Sequence, residues 1–337
     1  MEQPEVSIIT VNFNGKKFLE NLFNSAMKLN YRNFEIIFVD NASTDGSVEY
    51  VKKNYPKVKV IENQDNLGFA IANNNAARIA KGEYIFFLNN DTKVHPDVIF
   101  ELVKKIKEVP RIGIAGCRLM SYDGKKHFHT GIGIDILGYP VVLKKVFYIE
   151  GSALMIKKEL FAKLNGFDSQ YFMFHEDIDL AWRARLLGYN VVAFPLAIVY
   201  HAVGVAAGGG EKKNGKYQTT FLRRYYSERN NIRTILKNYQ FNTLLLILPL
   251  YFLINFTEII FFLVTFKFKI IILYFKAYAW NFINFRNTLQ ERVRIQQTRT
   301  TSDKTIIKNM YLESGKFIAL REVGIPIFKT THLCNKS

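Results

Sequence analysis

The stretch FFLNNDT, residues 86–92, indicates the fold class of this chain. It joins an apolar strand, predicted over residues 84–88, to a polar cluster that includes Asn90 and Asp91. A second predicted strand, residues 34–39, ends in the same way, in DNASTDGS with Asp40 and Asp45. Ligands of open α/β sheets bind beyond the carboxyl ends of the strands. Two strands that end in acids therefore predict a pocket there, and they favour a sugar nucleotide as its ligand.

Strands and helices alternate around this stretch. Strands are predicted at residues 6–11, 34–39, 58–63 and 84–88, and the helical segments between and after them at 16–29, 46–54, 69–80 and 96–107. This spacing predicts βαβ units and a mostly parallel central sheet flanked by helices. Beyond residue 112 the rhythm changes, and the predicted elements are strands within 112–156, helices at 158–164 and 176–187, and strands at 191–194 and 197–201.

The positive charge of the chain is concentrated in its C-terminal third. The formal net charge is +17; residues 1–210 carry 25 Lys and Arg against 22 Asp and Glu, whereas residues 211–337 carry 21 against 7. A basic segment that is also apolar suits an anionic membrane surface. Nucleic acid is the other usual partner of basic segments. Zinc-ligand spacing, a helix-turn-helix pattern and an RNA-binding aromatic signature are all absent, so we expect no nucleic acid partner.

Two apolar stretches follow the basic segment that starts at Arg223. Residues 243–266 contain one charge, Glu258, and residues 270–285 contain one, Lys276. The first stretch as a helix would measure roughly 36 Å, enough to cross a bilayer core. Because basic clusters flank the apolar block on both sides, we expect a monotopic hairpin on the cytoplasmic face; a two-pass anchor and a soluble helical pair remain alternatives. The last fifty residues are predicted as a weakly structured extension with one short strand, 317–320.

The termini and cysteines bear on the compartment. The N-terminus, MEQPEVSIIT, lacks a basic segment followed by an apolar one, which predicts a cytoplasmic catalytic part. The two cysteines, Cys117 and Cys334, do not form a disulfide framework. Cys117 lies in an apolar run and is predicted to be a buried small hydrophobe. We expect three regions: a catalytic domain over residues 1–235, a helical membrane-association region over 236–290 and a basic extension over 291–337.

Several polar residues at predicted strand ends admit a structural role beside a binding role. Asp40 can accept hydrogen bonds from a base or ribose, or close an Asx turn, and Asp45 can cap the helix that begins near Gly46. Gly68 permits close backbone approach at a helix N-terminus, where a diphosphate would bind, and Asn66 can cap the same helix. Asn74 belongs to the same NLGFAIANNNAA segment.

Acids and a histidine further along supply the candidate chemistry. Asp91 is the candidate ligand of Mg²⁺ or Mn²⁺, which take oxygen ligands and bridge substrate phosphates. Glu176 and Asp177 begin a helix whose dipole favours ionised acids, and one of them is a candidate general base. Asp179 is predicted to pair with Arg183. His201 ends a strand before a glycine-rich loop, residues 204–215, which is predicted to close over the ligand.

In this order the segments resemble a known family. VSIITVNFNG, VDNASTDGS, NLGFA, FFLNNDT, EGSALMIKKELFAKLNGFD, HEDIDLAWRARLLGY and VYH resemble the family 2 glycosyltransferases of the GT-A fold, and in particular the branch with rhamnosyltransferase-like enzymes of surface-polysaccharide assembly. The resemblance covers about residues 5–235. It implies an inverting, metal-dependent transfer from a nucleotide-sugar donor to a hydroxyl of a glycan or lipid-linked acceptor.

The resemblance also implies roles for individual residues. Asp177 would be the catalytic base beside Glu176, and Asp91 with His201 would hold the cation. Asp40 would contact the nucleoside; Asn41, Asp45, Asn66, Gly68, Asn74 and Asn90 would complete the donor site. The chain departs from the family where the fuller D-x-D motif reads Asn89-Asn90-Asp91 and where no serine follows His201 in a G-x-S element. The Q-x-x-R-W signature of processive synthases is absent, which predicts non-processive transfer.

Two other classes of protein remain as alternatives. A catalytically inactive GT-A module that scaffolds a membrane assembly complex would have lost the base or the metal-binding acid, and this chain has both. A nucleotidyltransferase would carry a glycine-rich phosphate loop after its first strand, and residues 12–15 lack one.

Overall fold

The computed structural model describes residues 3–202, 211–213 and 216–329. The chain divides into two compact units. Unit 1 comprises Met1–Ile132 and Val142–Ala206, and unit 2 comprises Gly133–Val141 and Ala207–Ser337. The units divide near residue 206, ahead of the boundary expected at 235, and the three regions expected from the sequence stay a prediction. The glycine-rich loop expected at 204–215 lies largely outside the described residues.

Unit 1 is built on a mixed sheet. Its strands are β1 (Val6–Asn12), β2 (Phe34–Asp40), β3 (Lys59–Glu62), β4 (Tyr84–Leu88), β5 (Thr92–Val94), β6 (Ile112–Ser121), β7 (His127–Thr130), β10 (Ala153–Lys157) and β11 (Asn190–His201). Their order is β3-β2-β1-β4-β10-β6-β11-β5, and β7 pairs with β6. β3, β2, β1 and β4 are parallel, while β10 is antiparallel to β4 and β6. The fold is therefore the expected α/β sheet, parallel in its N-terminal half and mixed beyond it.

Helices cover both faces of this sheet. They are α1 (Lys16–Ala26), α2 (Ser47–Asn54), α3 (Gly68–Ile79), α4 (Val98–Glu108), α5 (Lys158–Lys163) and α6 (Glu176–Leu186). One core cluster joins the apolar faces of α1 and α4 to the sheet, through residues such as Leu22, Phe23, Ile99 and Leu102. Trp182 of α6 is also fully buried. The apolar periodicity read from the sequence corresponds to these buried faces.

Unit 2 contains the C-terminal helices and two small sheets. The helices are α7 (Phe221–Asn238), α8 (Phe241–Val264), α9 (Phe268–Ile283), α10 (Phe285–Thr298), α11 (Asp303–Ile307) and α12 (Gly315–Val323). The strands are β8 (Gly133–Ile134), β9 (Pro140–Val141), β12 (Glu211–Lys213), β13 (Lys216–Thr220) and β14 (Ile327–Lys329). β8 pairs with β9, and β13 lies between β12 and β14.

Two details of the predicted secondary structure differ from the structure. The strand predicted at 317–320 is wrong, because these residues lie inside α12. There the Ser314 hydroxyl accepts a hydrogen bond from the Lys316 amide and caps the helix, so local capping overrides the apolar pattern. The two strands predicted at 191–194 and 197–201 form one strand, β11, with an irregularity between Phe194 and Ile198 in its pairing with β6.

Candidate active site

The carboxyl ends of β1, β2 and β4 bring together the first group of predicted residues. Asp40 ends β2 and is 2% exposed; its carboxylate accepts a hydrogen bond from Asn12 Nδ2 at 2.9 Å and another from the Ser43 amide at 2.7 Å. Asn12 Oδ1 accepts from Asn90 Nδ2 at 2.6 Å. Asn12 therefore links Asp40 to the polar cluster after β4. Sequence reasoning missed Asn12, although its place at the end of a buried strand was a usable signal.

Asn41, Asn66 and Gly68 form a second set of contacts next to this group. Asn41 Nδ2 donates to Asn66 Oδ1 at 3.2 Å and to the Gly68 carbonyl at 3.1 Å. Asn66 Oδ1 also accepts from the Gly68 amide at 3.0 Å, and the Phe172 carbonyl accepts from the Phe69 amide at 2.7 Å. The first amides of α3 are thus engaged within the chain. These contacts favour the capping role that the sequence left open for this helix start.

Gly68 is required by the backbone at this point. Its φ is +74°, and an added Cβ would lie 2.5 Å from the Phe172 carbonyl oxygen. A side chain would therefore be strained by its own conformation and would also clash with the backbone. The close approach expected from the sequence is present, and in this structure the approaching group is the protein's own backbone.

Asp45 and Asn74 have structural contacts. Asp45 accepts from the Lys16 amide at 2.8 Å and from the Ser47 amide at 3.1 Å, so it caps the starts of α1 and α2. Burial alone would raise the pKa of Asp45, but hydrogen bonds from Ser47 and Lys16 hold it below its ordinary value. Asn74 bonds both backbone groups of Phe167, at 2.8 and 2.9 Å. We therefore leave Asp45 and Asn74 out of the donor site proposed below.

Asp91 and His201 form a buried pair where β11 meets β5. His201 Nε2 lies 3.1 Å from Asp91 Oδ1, and the two residues are 9% and 3% exposed. The Ala202 amide donates to the Asp91 carbonyl at 3.0 Å, which fixes the two chain segments against each other. Burial alone would lower the pKa of His201, but the hydrogen bond and charge of Asp91, together with the charge of Glu150, raise it above its ordinary value.

The pair fits a divalent cation in its chemistry and spacing. Two ligands of one octahedral ion, each about 2.1 Å from it, are about 3 Å apart, close to the distance between His201 Nε2 and Asp91 Oδ1. No hydrogen-bond partner for the buried His201 Nδ1 is found among the described residues. Within the same residues no third His, Cys, Asp or Glu joins the pair as a ligand group. A cation held here would take its remaining ligands from a substrate diphosphate and water.

Glu176 and Asp177 begin α6 and have different surroundings. Burial, followed by the charge of Asp177, raises the pKa of Glu176 well above its ordinary value, and Glu176 Oε2 has no hydrogen-bond partner among the described residues. Asp177 accepts from the Gly151 amide at 3.1 Å and from the Ile178 amide at 2.8 Å. Burial, followed by the charge of Glu150, raises the pKa of Asp177 to about 7. Asp177 is thus the acid that changes charge near neutral pH.

The turn into α6 is strained. Phe174 and His175 both have positive φ, +67° and +69°, a conformation that is uncommon for residues with a side chain. Such strain is concentrated at functional sites, where the surrounding structure maintains it. About one turn further along, Asp179 Oδ2 accepts from Arg183 Nε at 2.8 Å, which confirms the structural pair predicted from their spacing.

Glu150 connects the candidate base to the candidate cation site, and sequence reasoning missed it. Its charge raises the pKa of both Asp177 and His201, and its Oε2 lies 3.2 Å from His129 Nε2. The next residues continue the connection: the Gly151 amide bonds Asp177, and the Ser152 carbonyl accepts from the Asn89 amide at 3.0 Å. The only sequence signal was its place at the start of the EGSALM segment.

Comparison with known proteins shows what the N-terminal part of the chain is similar to. Residues 7–165 match the family described as Glycosyl transferase family 2. A mannosyltransferase from Pyrobaculum calidifontis, solved with GDP-Man and Mn²⁺, superposes with a TM-score of 0.51 at 20% identity, over 70% of this chain and 64% of that one. At this identity the likeness shows the fold. Residues 7–165 are thus similar to a family 2 glycosyltransferase domain, and the fold of the chain is the GT-A fold.

Two curated relatives are named for glycan assembly. An N-acetylglucosaminyl-diphospho-decaprenol L-rhamnosyltransferase of Mycobacterium tuberculosis is 24% identical over 229 residues, which are 58% of this chain and 75% of that protein. The O-antigen biosynthesis protein RfbC of Myxococcus xanthus is 26% identical over 212 residues, 56% of this chain, and the match spans 16% of that much longer protein. The resemblance to rhamnosyltransferase-like enzymes of polysaccharide biosynthesis is thereby confirmed.

Proposed function

We propose that this protein is an inverting, non-processive glycosyltransferase that moves a sugar from a nucleoside-diphosphate donor to a hydroxyl of a lipid-linked glycan. The observation that carries the proposal is that the charge of Glu150 acts on two sites, each of which contains an acid. One is Asp177, whose pKa is about 7, and the other is Asp91 with His201 at 3.1 Å. A group that titrates near neutral pH suits a general base, and a buried acid–histidine pair suits a cation.

The donor would bind at the carboxyl ends of β1, β2 and β4. Asp40, Asn41 and Asn90 lie there, and Asn12 joins Asp40 to Asn90. Asn66 and Gly68 would shape the adjoining wall. Asp91 and His201 would hold Mg²⁺ or Mn²⁺, which, when bound, offsets the charge of the departing diphosphate. Support comes from the donor atoms of the pair and from the bound Mn²⁺ in the structure of the Pyrobaculum enzyme.

The transfer step uses the ionised form of Asp177. Its carboxylate takes the proton of the acceptor hydroxyl while that oxygen forms a bond to the anomeric carbon. The bond from that carbon to the diphosphate breaks, and the nucleoside diphosphate leaves with the bonding electron pair. Attack opposite to the leaving group inverts the configuration. Burial, followed by the charge of Asp177, raises the pKa of Glu176 well above its ordinary value, so Glu176 favours its protonated form more than an exposed glutamate does.

The acceptor and the cellular site are proposed from the C-terminal unit and from the mycobacterial relative, which is named for a decaprenol-linked substrate. Among the described residues, α8 is the one helix whose length and apolar composition would allow it to cross a membrane. Residues 211–337 carry 21 Lys and Arg against 7 Asp and Glu, a balance that attracts anionic lipid. We therefore place the enzyme on the cytoplasmic face of the cell membrane, where lipid-linked acceptors are available.

Donor hydrolysis and transfer assays test the proposal. The purified chain is assayed against a panel of nucleotide sugars, with Mn²⁺, with Mg²⁺ and with EDTA, in the presence of a polyprenyl-diphosphate-linked sugar. We expect turnover of one donor, stimulation by the cation and a product of inverted configuration. No turnover of any donor, combined with retained nucleotide binding, would instead favour the inactive scaffold.

Single substitutions test the candidate cation site separately from the candidate base. Asp91→Ala should abolish cation-stimulated binding of the nucleoside diphosphate in calorimetry, and His201→Ala should weaken it less. Asp97→Asn is the matched control, because Asp97 is a partly exposed aspartate at the start of α4 that bonds Asn30. Unchanged cation-dependent binding in Asp91→Ala would overturn the cation assignment.

A further inference from the structure

Helix α8 buries polar as well as apolar side chains against the rest of unit 2 and exposes most of its large apolar side chains. Its buried residues, Leu244, Ile247, Tyr251, Asn255 and Phe262, recur at helical spacing and define the inner face. The outer face carries large exposed apolar side chains, among them Leu246 at 76%, Leu253 at 59% and Phe256 at 59% exposure. The exposed polar side chains of this helix are those of Asn242 and Thr257. This arrangement is the reverse of a water-facing helix, whose polar face is outside.

Helix α9 has the same polarity. Ile270, Tyr274, Ala277 and Asn281 are buried, and Asn281 Nδ2 donates to the Arg229 carbonyl of α7 at 2.8 Å. Its outward side chains include Phe275 at 60% and Phe282 at 85% exposure, with the exposed Lys269 and Lys276 beside them. Soluble monomers rarely expose a continuous apolar surface of this extent. We call the outward faces of α8 and α9 the apolar face.

Glu258, the one charge in the apolar stretch of α8, lies in an ion-pair cluster on the inner side. Its Oε1 is 2.5 Å from Arg224 Nη2 of α7, and its Oε2 is 2.6 Å from Lys316 Nζ of α12. Glu228 completes the cluster, 3.2 Å from Arg224 and 2.9 Å from Lys316, so that two acids balance two bases. Lys316 Nζ also donates to Asn255 Oδ1 at 2.5 Å. The cluster attaches the C-terminal half of α8 to α7 and α12.

We infer that the apolar face is seated in one leaflet of an anionic bilayer, with α8 and α9 lying in the membrane plane and not crossing it. A crossing α8 would carry Arg224 and Lys316 to the depth of the hydrocarbon core, where charged side chains are costly. An in-plane helix pair buries its apolar side in the leaflet and keeps the cluster on the water side. The inference extends the membrane association proposed above and does not depend on the transfer reaction.

The side chains around the apolar face favour lipid over a protein partner. The outer surface of α8 has no charged residue, whereas protein interfaces have a polar rim that fixes register. The cations next to the face are Lys267, which directly precedes α9, and Lys269 and Lys276 within α9. Such side chains extend to the headgroups while their stems contact apolar surface. A basic rim on an aliphatic and aromatic face complements anionic lipid.

Vesicle flotation tests the assignment of the face. The full chain is mixed with sealed vesicles of phosphatidylcholine and phosphatidylglycerol in equal parts, and with phosphatidylcholine alone. We expect binding to the mixed vesicles, and a loss of at least about tenfold in affinity for Leu253→Glu with Phe256→Glu, because large apolar burial is removed. Phe100→Glu is the matched control, since Phe100 is 50% exposed on α4 of unit 1. Retained donor-nucleotide binding and an unchanged circular dichroism spectrum show that the variants fold.

Two outcomes would overturn the lipid assignment. One is vesicle binding by the double variant that equals wild type. The other is a wild-type dimer that does not float with vesicles and that the double variant converts to a monomer, because this result would make the face a protein interface.

Cysteine labelling distinguishes the in-plane arrangement from a crossing. Lys269→Cys is made in a Cys334→Ser background, in which the remaining Cys117 is buried. The protein is added to preformed sealed vesicles and treated with a membrane-impermeant maleimide. We expect full labelling of residue 269 without detergent, as for the control Leu312→Cys, whose native side chain is 75% exposed. Labelling of residue 269 that requires detergent, while residue 312 reacts freely, would show that the turn has crossed and would overturn the inference.

Discussion

At the start of α6, two adjacent carboxyl groups have different surroundings. Glu176 is buried without a partner for Oε2 among the described residues, whereas Asp177 accepts hydrogen bonds from the Gly151 and Ile178 amides. Amide donors stabilise a carboxylate, so Asp177 becomes ionised before Glu176 as the pH rises. Of the two, Asp177 is therefore the better candidate base, and different surroundings of paired carboxyl groups are a way to separate acid and base roles.

Asp177→Asn should lower the transfer rate by about 10² to 10⁴, the usual contribution of a general base. The amide keeps the size of the side chain but cannot accept the proton. Binding of the nucleoside diphosphate should stay close to wild type, because the proposed donor site uses other residues. Single-turnover transfer and calorimetry measure the two quantities, with Asp97→Asn as the control. Wild-type turnover in Asp177→Asn would exclude this residue as the base.

Glu150 should set the pH range of the reaction. The base works when ionised, so for wild type we expect kcat/KM to fall as the pH drops through about 7. Burial is the larger cause of the raised pKa of Asp177, and the charge of Glu150 is the next. In Glu150→Gln that charge is gone, the pKa of Asp177 falls, and the acid limb moves to lower pH. A pH–rate profile measures the shift, and Glu150→Asp should restore part of the wild-type profile. An unmoved limb in Glu150→Gln would mean that Glu150 does not act on the base.

At the scale of elements, the packing of α8 in unit 2 depends on the ion pairs of Glu258, the one charged residue of a predominantly apolar helix. Glu258→Gln removes one acid from the cluster of two acids and two bases. Removal of one partner from a fully buried ion pair costs about 3–5 kcal/mol of stability. Because 22% of the Glu258 side chain is exposed, we expect a smaller loss of about 2 kcal/mol. Denaturant unfolding measures the loss.

The matched control for this prediction is Glu313→Gln. Glu313 pairs with Arg321 at 2.9 Å, with side chains 50% and 63% exposed, so the change should cost less than about 0.5 kcal/mol. Equal losses for Glu313→Gln and Glu258→Gln would show that the cluster does not hold α8 in place.

The sequence predicts those elements whose apolar pattern and local signals agree. β1, β2 and β4 are continuous buried runs, and α1 and α4 have one apolar face each, so all five were predictable. The antiparallel direction of β10 was not, because strand direction depends on the path of the chain and not on the composition of the strand. α12 was missed since its cap, Ser314, is a one-residue signal within an irregular segment.

The candidate site was predictable to a different degree. Asp91 and His201 were named from their strand ends, and the structure brings them together. The functions of Asn12 and Glu150 were missed because they arise from contacts with residues far away in the chain. For Asp45 a binding role and a capping role fit the sequence equally well, whereas for Asn74 only the binding role was predicted. Only the backbone groups of Lys16 and Phe167, brought close by folding, favour the structural one.

At the scale of the whole molecule, the uneven charge should make membrane binding depend on salt. Residues 211–337 carry 21 Lys and Arg against 7 Asp and Glu, while residues 1–210 carry 25 against 22. Attraction between exposed charges and anionic lipid is screened beyond about 10 Å at 0.1 M salt. Vesicle binding should therefore weaken as salt rises and then level off at the apolar contribution. Binding that does not change with salt would mean that the basic residues do not face the lipid.

The division of the chain into units has a further consequence for how the polypeptide can be cut. Residues 133–141 belong to unit 2 although unit 1 supplies the chain on both sides of them. Within unit 2 the Asp135 carboxylate accepts from the Leu137, Tyr139 and Gly315 amides, at 2.9, 2.8 and 2.5 Å. Asn231 Nδ2 donates to the Leu137 carbonyl at 2.9 Å. The chain thus passes between the units three times.

A single break after residue 206 should therefore release neither piece. The N-terminal fragment would retain residues 133–141, and this segment would keep the C-terminal fragment attached without a covalent bond. With a protease site inserted after Ala206, we expect two bands on a denaturing gel and one peak in native size-exclusion chromatography; separate peaks would contradict this. By the same reasoning, a catalytic fragment that stops at residue 206 would expose the buried Asp135 and lose its Gly315 donor, so a soluble truncation must replace this nine-residue segment as well as remove the tail.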